Sequence, residues 1–315
     1  MTRSADVTRT TRPSRFRLRA VACALAIAAG AAGAQDIEPR AYSNAPVGVN
    51  FLIAGYAYTR DGVALEDSLP ITDVRLRTSN GVVAYARTLD FGGMSGKMDF
   101  VAAYTELSGS ASYAGQPLER VIHGIGDPAL RVSVNFYGAP SLALKDFAAY
   151  EQDVIVGASL RVSIPWGQYD PARVVNLGTN RWIFKPELGV SKAIGRWTLE
   201  AKGAVTLYTD NNDFYGGKKR EQDPIYSMQA HVIYSLPSGS WASFDATYFA
   251  GGRSTVNGIV SNDLLQNWRV GATYAIPVDR NNSIKLYASS GVSARTGNNF
   301  DLLGIAWQYR WGGGL

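Results

Sequence analysis

The sequence predicts an all-β chain that closes as an antiparallel up-and-down transmembrane β-barrel of about 12 strands, and three observations carry that prediction. Segments of roughly ten residues alternate apolar with polar or small side chains, which is the period of a strand with one apolar and one wet face. Long polar connections interleave with short ones. Aromatic side chains gather near the segment ends. Gram-negative outer-membrane barrels combine these features as short periplasmic turns, longer external loops and an aromatic girdle at each interface. A soluble β-sandwich also alternates polar and apolar positions, but it has no reason to alternate its loop lengths.

Residues 1–34 have the marks of a signal peptide. Arg3, Arg9, Arg12, Arg15, Arg17 and Arg19 precede an apolar run from Ala20 to Ala29, and Ala32-Gly33-Ala34 supplies the small-x-small pattern for cleavage before Gln35. The apolar run is too short to span a bilayer as a helix. A lipoprotein anchor at Cys23 is disfavoured, because the apolar stretch follows that cysteine instead of preceding it. The leader holds six of the 31 basic residues and one of the 26 acidic ones, Asp6, which leaves 25 of each sign. The basicity therefore belongs to the leader, and no nucleic-acid partner is indicated. Cys23, the one cysteine, leaves with the leader, which excludes disulfides, thiol catalysis and thiolate metal sites from the mature chain. Residues 35–46 then read as a short periplasmic N-terminal tail, too small for a substantial plug, and 47–315 as the barrel.

Alternation places strands at 47–58, 80–91, 97–108, 126–137, 152–164, 181–193, 196–209, 224–237, 240–250, 266–277, 283–293 and 301–311. An even number puts both termini on one side, together with the short connections 92–96, 194–195, 237–239 and 278–282. The longer connection 138–151 has the composition of a short helix around Leu144. A two-residue turn at Ile194-Gly195 sets Glu187 opposite Lys202, and a three-residue turn at 237–239 sets His231 opposite Asp245.

The phase of the alternation assigns Arg131, Asn135, Asp153, Arg161, Lys185, Glu187, Glu200, Lys202, Gln229, His231, Asp245, Arg269, Lys285 and Arg310 to the inner face. Lysine or arginine facing lipid costs about 2–4 kcal/mol at mid-bilayer, so this regular inward phase supports the strand assignment. Phe91, Trp182, Trp197, Trp241, Tyr248, Trp268, Tyr309 and Trp311 are the expected membrane-interface aromatics. A lumen of mixed sign argues against strong ion selectivity. It leaves open both a wet channel and an interior packed by cross-strand ion pairs.

Little else carries chemistry. Two separated histidines, His123 and His231, do not make a tetrahedral metal site, and no metal or cofactor is expected. The pair His231 and Asp245 reads as a lumen hydrogen bond, since no poised nucleophile accompanies it. Asp210-Asn211-Asn212-Asp213-Phe214 lacks the glycine and the ligand spacing of a calcium loop and reads as an external loop. Lys218-Lys219-Arg220-Glu221 reads as an exposed charge run, with lipopolysaccharide phosphates as a less specific alternative.

The strings GDPALRVSVNFYGAP (126–140), IVGASLRVSIPWGQYDP (155–171), NLGTNRWIFKPELGVSKAIGRWTLE (176–200), REQDPIYSMQAHVIYS (220–235) and WASFDATYFAGGR (241–253) resemble the outer-membrane proteins of the meta-pathway of phenol degradation family, often labelled transporters. The resemblance runs from about 45 to 311. It implies a barrel in the cell outer membrane, linked with uptake of aromatic or other hydrophobic compounds, and brings no catalytic residues with it. The C-terminal Gly312-Gly313-Gly314-Leu315 departs from the aromatic ending common in such barrels. The resulting expectation is a passive, non-enzymatic channel for a small solute, in contact with outer-membrane lipid, lipopolysaccharide and the barrel-assembly machinery. A barrel hydrolase and a structural or adhesive barrel without transport are the alternatives.

Overall fold

The computed structural model describes residues 37–60, 71–113, 116–173, 176–294 and 300–315. The leader, its expected cleavage site before Gln35, and parts of the connections 59–79 and 294–300 lie outside the described residues. Along the described chain run β1 (Val49–Arg60), β2 (Ile71–Phe91), β3 (Met94–Tyr113), β4 (Gln116–Ile125), β5 (Ala129–Tyr137) and the short helix α1 (Leu144–Phe147). Next come β6 (Val154–Ser163), β7 (Ile183–Ile194), β8 (Trp197–Tyr208), β9 (Asn211–Phe214), β10 (Lys218–Gln222) and β11 (Ile225–Ser235). The rest are β12 (Trp241–Gly251), β13 (Ser254–Val256), β14 (Ile259–Val260), β15 (Leu265–Pro277), β16 (Asn282–Ala294) and β17 (Asp301–Gly312).

Twelve of these strands close a barrel in the order β1, β2, β3, β5, β6, β7, β8, β11, β12, β15, β16, β17, each antiparallel to the next. Closure is the pairing of the first strand with the last, from Val49 opposite Gly312 to Arg60 opposite Asp301. Every strand edge within the ring is then paired, the condition a sheet must meet in hydrocarbon. Among the described residues no helix is long and apolar enough to cross a membrane, which says nothing about crossing by strands.

The wall is inside-out relative to a soluble domain. On β7, Phe184, Leu188 and Val190 are exposed, Leu188 at 62%, while Lys185 and Glu187 are each 8% exposed. The same inversion recurs on β11, where Met228 and Val232 face out and Gln229 and His231 are buried. Apolar area is stabilised by leaving water at roughly 25 cal/mol per Å², so an outward apolar belt around a polar interior requires a lipid surround. The chain is an outer-membrane β-barrel.

Two connections extend the sheet outside the ring. The hairpin β2–β3 stays paired from Phe91 opposite Met94 as far as Ile71 opposite Tyr113, and 20 residues at ~3.3 Å each exceed an apolar band of ~25 Å even when tilted. Strand β4, expected from the sequence as part of a loop, continues this hairpin beside β3. At Gly126-Asp127-Pro128 the chain steps down into β5, and β6 ends at Ser163 before reaching β4. Segment 164–168 covers the free β4 edge, with Ile164 donating to the Pro128 carbonyl (2.8 Å) and Gln168 to the Ile125 carbonyl (2.8 Å). The loops 210–223 and 251–265 also carry strand: β9, β10, β13 and β14 form a small separate sheet on the external side.

One hairpin differs from expectation in register. Gly195, not Ile194, opens the β7–β8 turn: it takes φ +60, a left-handed conformation that a β-branched side chain resists. Ile194 remains in the ladder opposite Trp197, so Lys202 faces Gly189 and Glu187 faces Ala204. The slip is by two residues, which keeps every side chain on its expected face. The β11–β12 register has His231 opposite Asp245, as the three-residue turn requires.

Candidate functional site

The barrel interior divides into arcs. The first, from β3 to β8, is charged. Asp99, Arg131, Arg161 and Lys185 lie in one cross-strand row, with Glu187, Glu200 and Lys202 beside it, all three buried. Arg131 Nε donates to Asp99 (3.0 Å). Lys202 Nζ lies 3.6 Å from Glu187, so the expected ion pair survives the register change as a diagonal contact.

Against this arc lies the segment before β1. The sequence alone suggests a periplasmic tail over 35–46; the structure instead places Glu38, Arg40 and Tyr42 in the lumen, as their contacts show. Glu38 accepts from Arg131 and sits 3.9 Å from Lys202. The Arg40 backbone donates to Glu200 (2.7 Å), and its guanidinium reaches Ser235 (2.9 Å). Tyr42 donates its hydroxyl to Glu187 (2.9 Å). The Tyr42 ring has room because the wall beneath it is Gly157 and Gly189, where an added Cβ would come within 2.5 Å and 2.1 Å of the ring. Asn135 completes the seat by donating to the Tyr42 carbonyl (3.2 Å). The physical reason for the inward course is charge: buried cations on β5 and β8 need carboxylates, and the wall supplies too few. This surplus is visible in the sequence as seven inner-face cations against four acids, and it is the signal that points to Glu38.

The next arc, β11 and β12, is polar but nearly uncharged. Buried His231 and Asp245 pair through Nδ1 at 2.6 Å, and Asp245 also accepts from Ser243 (3.0 Å) and Thr273 (3.4 Å). Gln229 faces Lys202 on one side and Thr247 on the other. Arg269, on β15, is held at its height by Ser289 (2.8 Å) and the Phe300 carbonyl (3.0 Å), with the Phe300 ring 3.8 Å away.

The third arc, β15 to β2, is largely uncharged and mixes small residues with Phe51, Ile53, Val82 and Tyr287 on its inner face. Gly271, Thr273 and Ala275 share the inner face with Gly304, Ala306, Gly55, Ala57 and Ala86. Lys285 also points inward, opposite Ala306 and 5.5 Å from the Tyr287 ring, yet is solvent-exposed. It stands three residues from the start of β16, near the periplasmic end, where its cross-strand partners Ala275 and Ala306 are buried.

Three expected positions fall elsewhere. Asp153 precedes β6, is 77% exposed and pairs with Lys192 at the rim. Arg310 is exposed and donates to the Arg280 carbonyl (2.8 Å) in the 278–281 turn. Both keep the inner-face phase but lie past the height at which the barrel encloses them. Trp241, expected at the lipid interface, instead shares a face with Ser243 and Asp245, and Arg40 stacks on it at 4.9 Å. Trp182, Trp197, Trp268, Tyr309 and Trp311 are exposed, and Phe91 lies on the outer face over Gly96. Tyr248 pairs with Trp268 at 4.9 Å, and Trp197 with Tyr234 at 4.7 Å. Cross-strand aromatic pairs of this kind suit the amphipathic interface. Among the described residues, no three His, Cys, Asp or Glu side chains are grouped to hold a metal ion.

The fold has solved counterparts. A COG4313 outer membrane channel from Pseudomonas putida F1 superposes with a TM-score of 0.75 at 19% identity, over 88% of this chain and 100% of that one. The transport unit of the autotransporter AIDA-I from Escherichia coli gives 0.52 at 8% identity, over 95% and 99%. No curated protein matches the sequence. The family model described as "Putative MetA-pathway of phenol degradation" matches residues 56–309, the barrel from β1 to β17, and the chain belongs to that family.

Proposed function

We propose that this barrel is a passive outer-membrane channel for small solutes, and that neutral aromatic or other hydrophobic molecules are its preferred cargo. The observation that carries the reading is the asymmetry of the inner wall. The N-terminal segment is pinned to the charged arc, while the opposite arc presents small and apolar side chains with Lys285 as an exposed cation near the periplasmic end. A solute passing along this arc meets few groups that would compensate a lost hydration shell, so an uncharged molecule crosses at less cost than an ion. Tyr287, lying over Gly304, offers an aromatic face on that side. Membership of a family linked with phenol degradation supports the same reading, as does the likeness to a channel from Pseudomonas putida.

The hydrolase alternative draws no support from the His231 pair. Ser243 donates to Asp245 and not to the imidazole, and all three are buried. A nucleophile would have to hydrogen-bond the base.

The test is conductance of purified protein in a planar bilayer, followed by uptake of a phenol-like compound in a strain lacking the protein. The reading expects small openings, slower uptake at low solute concentration without the protein, and restoration on complementation without an energy source. Silence in the bilayer together with unchanged uptake of several neutral aromatics would replace the channel with a structural barrel.

A further inference from the structure

The external end of the lumen holds polar groups that the channel reading does not use. Arg181, just before β7, is 3% exposed, and its Nη1 has no hydrogen-bond partner among the described residues. Its Nη2 donates to Gln222, and the guanidinium plane lies 4.3 Å from the Tyr208 ring. The Tyr208 hydroxyl is likewise buried and unpartnered, as is Thr206 Oγ1 one step below it on the same face of β8. Arg220 lies on the same face of β10 as Gln222, the residue that Arg181 bonds, and so brings a second guanidinium to the mouth, where its charge is felt by Arg181 and Tyr208. Its ring contact is Phe214, at 5.4 Å.

Two cations and a phenol thus converge with no carboxylate bonded to either guanidinium among the described residues. The acids whose charge reaches them, Asp127 and Asp210 for Arg181 and Asp263 for Arg220, hold hydrogen bonds or ion pairs to other groups. Asp127 accepts from Gly167 and Thr179, Asp210 pairs with Lys219 at 2.8 Å, and Asp263 accepts from Ser254. Burial, and then Arg220, press on the charged form of Arg181, against weaker support from Tyr208, Asp127 and Asp210. Buried donors without acceptors are uncommon in native proteins and call for an occupant. The wall beside them is apolar: Tyr208 packs on the buried cluster Ile225, Phe249 and Leu265.

We propose that Arg181, Arg220 and Tyr208 form a binding site at the external mouth for the carboxylate of a small organic acid with an apolar body. The guanidinium fork matches a carboxylate in two parallel hydrogen bonds, and the phenol supplies a third donor. The neighbouring apolar cluster would take the hydrocarbon end. This site does not depend on whether the lumen conducts.

The experiment is calorimetric titration of the detergent-solubilised, folded protein with benzoate, with benzyl alcohol as the neutral counterpart and sodium chloride at equal ionic strength as the salt control. The proposal expects benzoate to bind at least tenfold more tightly than benzyl alcohol. Arg220→Gln and Arg181→Gln should each weaken benzoate at least tenfold, and Tyr208→Phe several-fold, while Lys192→Gln at the periplasmic rim leaves it unchanged. Heat-dependent gel mobility establishes that each variant is folded; should Arg181→Gln fail to fold, Arg220→Gln and Tyr208→Phe decide alone. No benzoate binding, binding equal to that of benzyl alcohol, displacement by chloride alone, or equal loss in Lys192→Gln would each overturn it. Because the readout is occupancy and not flux, its failure leaves the channel reading standing, and a silent bilayer leaves this site standing.

Discussion

The β3–β8 arc and the β15–β2 arc of the same barrel solve one steric problem in opposite ways. A ring of twelve strands has an interior that must be filled or wetted. On the charged arc it is filled by long side chains and by a piece of the chain itself, with Tyr42 seated over Gly157 and Gly189. On the other arc the wall is largely uncharged, mixing glycine and alanine with Phe51, Ile53, Val82 and Tyr287, and its lysine, Lys285, is exposed. Strand propensity does not distinguish the arcs, since both alternate equally well. What separates them is whether the inward charges find partners in the wall. Where they do not, the N-terminal segment is recruited.

That contrast can be broken most directly at Gly189. Gly189→Val would push a side chain into the Tyr42 ring, now 2.1 Å from where a Cβ would stand. The expected result is release of the segment: the bond after Arg40 becomes cleavable by trypsin in the folded barrel, and conductance rises severalfold. Ala306→Leu on the opposite arc should do the reverse, leaving Arg40 protected and lowering conductance. If Ala306→Leu also exposes Arg40, the two arcs are not independent.

The next effect in size concerns the polar arc between them. Asp245→Ala removes the acceptor of His231, Ser243 and Thr273. Leaving buried donors unsatisfied costs about 1–3 kcal/mol, readable as a lower midpoint for heat- or urea-induced unfolding of the folded gel form. A loss under ~0.5 kcal/mol would mean that water reaches these groups and the arc is wet.

Glu38→Gln should act more gently. Arg131 keeps Asp99, but its second carboxylate is gone, and Lys202 keeps only Glu187. Uncompensated positive charge on one wall favours anions, so reversal-potential measurements should shift toward anion selectivity with little change in stability. The smallest effect is expected from Trp241→Ala. A cation–π contact contributes about 0.5–1 kcal/mol at a half-exposed site, so trypsin sensitivity at Arg40 should rise slightly. Trp268→Ala, on the lipid face, should leave it unchanged.

The ring is legible in the sequence because a period of two survives for ten residues at a time: the twelve expected strands coincide with those of the barrel to within a few residues, apart from the external extensions of β2 and β3. The short external strands β9, β10, β13 and β14 are not legible, since two to five residues cannot display a period. The misplacement of Trp241 has a remedy within the sequence. Residues 241, 243 and 245 share a parity, so an inward Asp245 entails an inward Trp241. The lumen course of Glu38, Arg40 and Tyr42 is harder to foresee, because a segment with few backbone partners leaves no periodic trace. Its alternation of functional side chains at every second position makes sense only once the unanswered cations of β5 and β8 are counted. The external site at Arg181 and Arg220 is beyond such reading, as it joins residues from two loops whose path no local pattern specifies.

The seat of the N-terminal segment also bears on the order in which the molecule can be completed. Closure brings Val49 to Gly312, the longest separation in the chain's pairing, and contacts so distant in sequence form late because the loop entropy must be spent first. Glu38 and Tyr42 bond to β5, β7 and β8, none of which needs β17 to be in place. Once β1 and β17 join, the segment is tethered to a finished wall. The time to install it is therefore before the seam shuts, when the half-built sheet is still open at one side. A segment that arrives then also holds β5 to β8 at the curvature the ring requires, and so acts as a mandrel for the wall that later encloses it.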